Sequence, residues 1–448
     1  MQFDRILKRR HVIALAFGAM VGWSWVLLTG LWITRAGTLG AVAAFAIAGL
    51  VMVMIALTYA ELASAMPETG GEHVYTERAF GHGLSFVCTW ALLLGYVSVV
   101  AFEVVALPFA LSYLFPAINI GLLWQVAGWD VYASQVAIGI LAAVGLTLVN
   151  VRGIASAAGL QGIVTLLIIV AGLVLASGAL ATGSASNLAP LMVDGVGGIL
   201  GVVVMVPLMF VGFDVIPQAA AEIDLPPARI GALVVASVLC AVAWYVLIIL
   251  AVGWVLDAPA RAAAELTTAA AASTAWSGEW AGRLLVGGGI AGIVTTWNAF
   301  LVGASRLLYV LGTSGQLPAW IAGGQAHHAP ARALWTICAV SCLAPWFGRP
   351  ALVWLVDAGS LGVIVAYAVV ALAFLTLRRR EPQLARPYRV RHGELVGAAA
   401  LVMALAIGAL YLPWSPSALV WPQEWLICGG WAALGGLLFL LGSARRHA

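Results

Sequence analysis

Apolar runs about as long as a bilayer is thick take up most of this chain. They fall at residues 12–34, 38–65, 84–114, 131–150, 156–181, 196–221, 230–256, 281–310, 331–347, 351–376, 395–413 and 424–442. A helix needs about 20 apolar residues to cross the hydrocarbon layer, so the pattern predicts twelve transmembrane helices with both termini on one side. Charge is too scarce for another solution. Only 9% of the 448 residues are Asp, Glu, Lys or Arg, 63% are apolar, and mean hydropathy is +1.05; a soluble domain carries about 25% charged residues. That composition excludes a soluble enzyme, a nucleic-acid binder and a disordered chain. The runs are continuous rather than weakly alternating, which argues against a transmembrane β-barrel. The expected class is an all-α polytopic membrane protein.

The basic residues test the count. With a cytoplasmic N-terminus, 17 of the 21 lie inside, among them Lys8, Arg78, Arg229, Arg378 and Arg446, and only Arg35, Arg261, Arg283 and Arg349 lie outside. This positive-inside bias supports cytoplasmic termini, and one helix missed early in the chain would scramble it. Arg5, Lys8, Arg9 and Arg10 lead into an apolar run with no small-residue cleavage site, so the run reads as a retained helix rather than a signal peptide. Tryptophans such as Trp124, Trp129, Trp276, Trp346 and Trp421 cluster near span ends, where interfacial anchors belong. The five cysteines sit in apolar stretches without a CxxC and read as small buried residues. There is no GxxxxGK[ST], so ATP is not the expected energy source.

Two runs are not plain helices. The first contains Phe17-Gly18-Ala19-Met20-Val21-Gly22-Trp23-Ser24-Trp25-Val26, and the sixth Pro207-Leu208-Met209-Phe210-Val211-Gly212-Phe213-Asp214-Val215-Ile216-Pro217. Glycine weakens a helix by about 1 kcal/mol and proline by about 3 kcal/mol. A break at membrane depth frees backbone groups, which are tolerated only where they line a cavity or meet a ligand. Glycine and proline also serve helix packing. Interruptions five spans apart, at matching positions of two five-helix halves, point instead to a transport site. Its chemistry suits a zwitterion. Amides from Trp23 to Val26 present the positive end of a half-helix to a carboxylate, and carbonyls from Leu208 to Val211 present a negative end to an ammonium. The expected substrate-binding set is Val21, Gly22, Trp23, Ser24, Trp25, Val26, Leu208, Phe210, Val211, Gly212 and Phe213, with Glu103 and Asn298.

Polar groups inside apolar runs are functional candidates by default. Glu103 stands mid-span without a basic residue in its run. It either contacts an amine, carries a proton, or is protonated and bonds a neighbouring helix. Asp214 either caps freed amides at the half-helix that follows the break or senses protons, and Asn298 either touches substrate or ties helices. Glu61 and Glu222, near inner span ends, either pair with Arg78 or Arg229 in a cytoplasmic gate or snorkel into water. The segment Pro67–Gly81, rich in charge, reads as an amphipathic interfacial helix; its histidines make no convincing metal site. A membrane enzyme would need clustered His, Asp or Glu at depth, and these carboxylates are scattered.

Four stretches resemble the amino acid–polyamine–organocation (APC) transporter family. They are Tyr59-Ala60-Glu61-Leu62-Ala63-Ser64-Ala65-Met66-Pro67-Glu68-Thr69-Gly70-Gly71-Glu72-His73-Val74-Tyr75 continuing to Gly81, Phe210–Asp214 with Glu222-Ile223, Ser305-Arg306-Leu307-Leu308-Tyr309, and Arg378–Pro382 with Arg386-Pro387-Tyr388-Arg389-Val390. The resemblance implies a LeuT-type fold: a first five-helix repeat in 1–190, an inverted second in 191–377, and two further helices in 394–448. It implies alternating-access transport of an amino acid, or of a polyamine or monoamine, across the cytoplasmic (inner) membrane, with no enzymatic activity. The partners it implies are that small molecule and the lipid bilayer, not nucleic acid. Two positions depart from the family pattern: Trp23 and Trp25 crowd the first break, and Leu208 stands where an aromatic gate is common. The family's fifth-helix lysine, which fills an ion position, is also missing, since the one lysine is Lys8. The role is assigned to Na+ or H+ as coupling ion. Thr295 with carbonyls near Ala19 and Met20 offers oxygen ligands, and Asp214 a proton carrier.

Overall fold

The computed structural model describes residues 5–203, 205–323, 325–326, 329–415 and 418–444. It is predominantly helical. The first apolar run forms α1 (Arg9–Met20), α2 (Ser24–Leu27) and α3 (Thr29–Ala36). The last two are close to one helix, because Leu28 between them keeps right-handed helical angles and its carbonyl accepts the Trp32 amide at 3.0 Å. After α4 (Thr38–Ala65) come α5 (Glu72–Phe80), α6 (His82–Leu114), α7 (Ala133–Val151) and α8 (Ile154–Thr182). The sixth run forms α9 (Gly195–Val203), α10 (Val206–Met209) and α11 (Val215–Gln218). Then follow α12 (Pro227–Val255), α13 (Ala258–Ala263), α14 (Thr267–Ala275), α15 (Glu279–Thr313), α16 (Ala331–Ser341), α17 (Pro350–Arg380), α18 (Gly393–Ala409) and α19 (Gln423–Ala444).

Among the described residues, eight helices are long and apolar enough to cross a membrane: α4, α6, α7, α8, α12, α15, α17 and α19. Two shorter apolar stretches occupy Ala331–Phe347 and Gly393–Ala409. The spanning helices are not equivalent. The apolar windows of α15 and α6 are 83% and 78% buried within the protein, whereas that of α19 is 11% buried and turns its leucines to lipid. α15 packs against α1, α2 and α11 and so lies beside both broken stretches, and α6 packs along α15.

Three features depart from the sequence reading. The connection from α6 to α7 is not plain loop. It folds into an antiparallel hairpin, β1 (Leu122–Val126) and β2 (Trp129–Tyr132), turned through Ala127 and Gly128, both at positive φ as a two-residue primed turn requires. Trp124 and Trp346, both exposed, also stack on each other with ring centres 5.7 Å apart, and Arg349 sits 4.1 Å over Trp129. They bind the hairpin to the connection between α16 and α17. Between α12 and α15, the chain adds α13 and α14 rather than a bare loop. Finally, α5 is a helix as expected, but its polar residues do not all face water: Glu72, His73, Tyr75, Thr76 and Ala79 are buried.

Candidate functional site

The two interruptions are real breaks, and they meet. α1 ends where Val21 leaves helical geometry (φ −105°, ψ 73°), and its amide still donates to Phe17 O at 2.9 Å. The amides of Val26 and Leu27 resume the pattern by donating to Trp23 O at 3.1 and 3.2 Å. Among the described residues, no acceptor takes the amides of Gly22, Trp23, Ser24 or Trp25. Four donors at the start of a helical run, with no protein partner, leave a positive dipole end unfilled.

The carbonyls on the other side of this break are held by neighbours. Tyr245 Oη on α12 donates to Met20 O at 2.8 Å, so the Ser24 hydroxyl, 3.0 Å away, donates to the tyrosine oxygen. Thr296 Oγ1 on α15 donates to Gly18 O at 3.2 Å. Thr29 and Thr268 both donate to Trp25 O, at 2.7 and 3.1 Å. α14 thereby closes one end of the site.

The second break spans Phe210–Asp214, between α10 and α11. Gly212 has φ +132°, where L side chains are strained, and a Cβ on it would stand 2.5 Å from Ala19 Cβ, 2.9 Å from Ala19 C and 3.1 Å from the Met20 amide nitrogen. Backbone therefore lies on backbone at the crossing of the breaks, and only glycine permits it. The freed Gly212 amide donates to Asp214 Oδ1 at 2.9 Å, and Tyr367 Oη donates to Asp214 Oδ2 at 3.3 Å. Asp214 therefore holds an amide within the break itself, while its side chain makes no capping bond to α11, the half-helix that follows it. Phe210 packs on Tyr245 and Phe45, and Phe213 on Tyr59 and Tyr367. Val211 is buried. Leu208 belongs to α10, but its side chain lies outside the described residues.

The remaining candidates divide. Glu103 on α6 joins the first break: it is 2% exposed, its Oε1 lies 3.7 Å from where a Gly22 Cβ would stand, and its Oε2 has no partner among the described residues. Thr295 donates to Gly292 O at 2.9 Å and lies against Gly18. Asn298 is bonded on all sides. It donates to Gln161 Oε1 at 2.8 Å and Ala157 O at 3.1 Å and accepts from Asn150 at 2.9 Å, which ties α15 to α7 and α8. Trp25 is fully buried, edge-on to Trp244 at 5.5 Å, and Trp23 lies against Gly289 of α15. Val26 also lies on Gly289. Both indoles fill space between helices.

The alternative that pairs Glu61 and Glu222 with Arg78 or Arg229 is corrected. Glu61 accepts from Arg378 Nε at 2.9 Å and lies 3.0 Å from Arg386 Nε, while Glu222 receives Arg306 in a bidentate pair at 2.9 and 3.1 Å. Arg78 pairs with Glu381 instead. A span-by-span reading sees only charges close in the chain, and these partners are 317 and 84 residues apart.

Tyr245 and Thr296 escaped the sequence reading. Each is a lone hydroxyl in an apolar helix, a signal too common to single out. Tyr245→Phe is expected to leave the Met20 carbonyl unpaired and lower stability by about 1–3 kcal/mol; thermal unfolding in detergent measures it.

Spanning helices, with two broken stretches in contact through their backbones, define a multi-pass membrane protein built in the manner of a carrier. The chain belongs to the amino acid permease family, matching it over residues 7–434, and so to the amino acid–polyamine–organocation transporters. It is 27% identical over 408 residues to the branched-chain amino acid permease BcaP of Lactococcus lactis subsp. cremoris, covering 85% of this chain and 83% of that one. It is 25% identical to BcaP of Bacillus subtilis, covering 99% of this chain and 95% of the relative. A methylthioribose transporter of Bacillus subtilis is 23% identical, with coverage of 99% and 94%.

Proposed function

We propose that this permease is a secondary active transporter that moves an amino acid with an apolar side chain across the cytoplasmic membrane by alternating access. In this reading the two interrupted stretches and the two shorter apolar ones complete twelve spans, arranged as inverted five-helix repeats plus two helices, with both termini in the cytoplasm. The observation that carries it is the set of unpartnered amides at Gly22–Trp25 beside the broken Phe210–Asp214 segment. The amides take the substrate carboxylate, and carbonyls of the facing break take its ammonium. Neither requires a fixed charge, which costs a few kcal/mol at mid-bilayer. The apolar side chain is supported by the buried apolar residues carried on the two breaks, Val21, Val26, Phe210 and Val211, and by the printed activity of the two BcaP relatives. Transport is coupled to an ion gradient: Na+ near Thr295 and the Ala19 and Met20 carbonyls, or H+ on a buried carboxylate.

One observation favours a second reading. The unpartnered Glu103 oxygen beside Gly22 would anchor a second amine, as in a polyamine or monoamine carrier. Thermal-shift measurements separate the two. A ligand at 100 times its dissociation constant stabilises by about 2.7 kcal/mol, so leucine, isoleucine or valine is expected to raise the melting temperature and putrescine to leave it unchanged. A shift with putrescine alone establishes the amine reading. No shift with either class, together with no leucine uptake into proteoliposomes, removes both.

A further inference from the structure

The turn before α5 directs an acid into the protein. Gly70 and Gly71 both have positive φ, the Gly70 amide donates to Gln218 O at 3.3 Å, and Gly71 lies against Pro217. The start of α5 is thereby pressed onto α11, immediately after the second break. Glu72, the first residue of α5, is fully buried; no well-aligned hydrogen bond reaches either carboxylate oxygen among the described residues, and the Tyr59 hydroxyl is the donor that faces it. Both polar atoms of Gln218 and the hydroxyls of Tyr59 and Tyr75 likewise make no well-aligned hydrogen bond among the described residues. Buried polar groups left unpaired cost free energy, so several gathered around one acid mark a site rather than an accident of packing.

The titratable groups that act on Glu72 and its immediate neighbours are neutral or acidic. These are Tyr59 on α4, Tyr75 on α5, Cys88 and Tyr96 on α6, Asp214 before α11 and Tyr367 on α17, with Glu68 acting on Tyr75. Arg380 of α17, a cation on a packed element, is spent on the Ala79 carbonyl at the far end of α5. The neighbouring His73 is engaged elsewhere, with Thr89 at 3.1 Å and Glu77 at 3.2 Å. No cation faces the carboxylate among the groups that act on it. An ionised acid here would stand fully buried, without a counter-charge among the groups that act on it, and beside a second acid.

We propose that Glu72 is a proton-binding site of the carrier, protonated in the arrangement seen here and releasing its proton to water when the inner side opens. The step balances: the Glu72 O–H bond breaks, water takes the proton, and the carboxylate remains, hydrated. Burial first, and the Asp214 carboxylate second, push the Glu72 acid well above the ordinary carboxylate range. This deepens the ion coupling proposed above and rests on that reading only for its transport consequence; proton binding itself is tested without transport.

The experiment compares purified wild-type protein with Glu72→Gln, and with Asp214→Asn as the control for the second acid. Infrared spectra at neutral pH are expected to show the carbonyl stretch of a protonated carboxylic acid that Glu72→Gln lacks. Folding takes up a proton when the folded acid is the weaker one, so stability falls as pH rises above the ordinary carboxylate range. Each unit of pH changes the unfolding constant by up to about tenfold. Glu72→Gln reduces this slope, the remainder belonging to other buried acids such as Asp214 and Glu103. A band and slope as large in Glu72→Gln as in wild type overturn the proposal. Should Glu72→Gln not fold, Glu72→Asp serves: it keeps an acid but displaces it, and an unmoved band equally overturns the proposal. Leucine uptake into proteoliposomes then reads the coupling. A proton gradient is expected to stimulate wild type several-fold and Glu72→Gln not at all. If the band is present and leucine is not carried, the transport reading has failed and the proton site stands.

Discussion

Gly212→Ala is expected to lower uptake at least tenfold and to cut the melting temperature sharply. The glycine φ of +132° is strained for alanine, and the new methyl would stand 2.5 Å from Ala19 Cβ and 2.9 Å from its carbonyl carbon. A strained backbone costs about 1–3 kcal/mol, and forcing a methyl into a closed contact about another 1–3 kcal/mol. Backbone cannot swing away as a flexible side chain can, so the breaks must separate. The loss falls on function as well as stability, because the same contact aligns the two sets of freed peptide groups. Gly145→Ala on α7 is the matched control: a Cβ there meets nothing within 4 Å, and alanine favours the helix. The position of the breaks would have to be reassigned if Gly212→Ala carried substrate as wild type does.

Arg306 and Glu222 should show the largest coupling outside the breaks. Both are 1% exposed, and two hydrogen bonds at 2.9 and 3.1 Å join them. Arg306 also donates to Ser305 at 2.9 Å. The Glu222 carbonyl accepts from the Ile6 and Leu7 amides, each at 3.0 Å. The pair thus links α15, the segment after α11 and the chain's first described residues. Losing Arg306 strands the buried Glu222 carboxylate, which costs about 3–5 kcal/mol. Arg306→Met is expected to destabilise by that much and Glu222→Leu by less, because Arg306 keeps its bond to Ser305; the double variant is expected to lose less than the sum, because no Glu222 carboxylate is then left unpaired. A thermal-unfolding cycle measures this; additive losses would show that the pair is not the unit drawn here.

Much of the architecture could be read from local composition. The run at 38–65 coincides with α4, and the runs at 84–114 and 156–181 match α6 and α8 within two residues at each end. Both breaks lie where Gly22 and Gly212 suggested. These features are legible because a span or a break depends on residues adjacent in the chain. The hairpin at Leu122–Tyr132 was missed because its strands lack a clean alternation and its turn uses Ala127, a residue not expected at positive φ. The charges of α5 suggested a face turned to water, whereas Glu72 and His73 face inward.

What the sequence alone determined is where the chain is apolar enough to cross lipid and where its helices cannot continue. What the tertiary structure decided is which polar groups meet: Glu61 with Arg378 and Arg386, Tyr245 with the end of α1, Glu103 with Gly22. The physical reason is that lipid is as apolar as leucine. A helix such as α4 is apolar on nearly every face, so hydropathy does not say which face turns inward; packing and hydrogen bonds with other helices set its rotation.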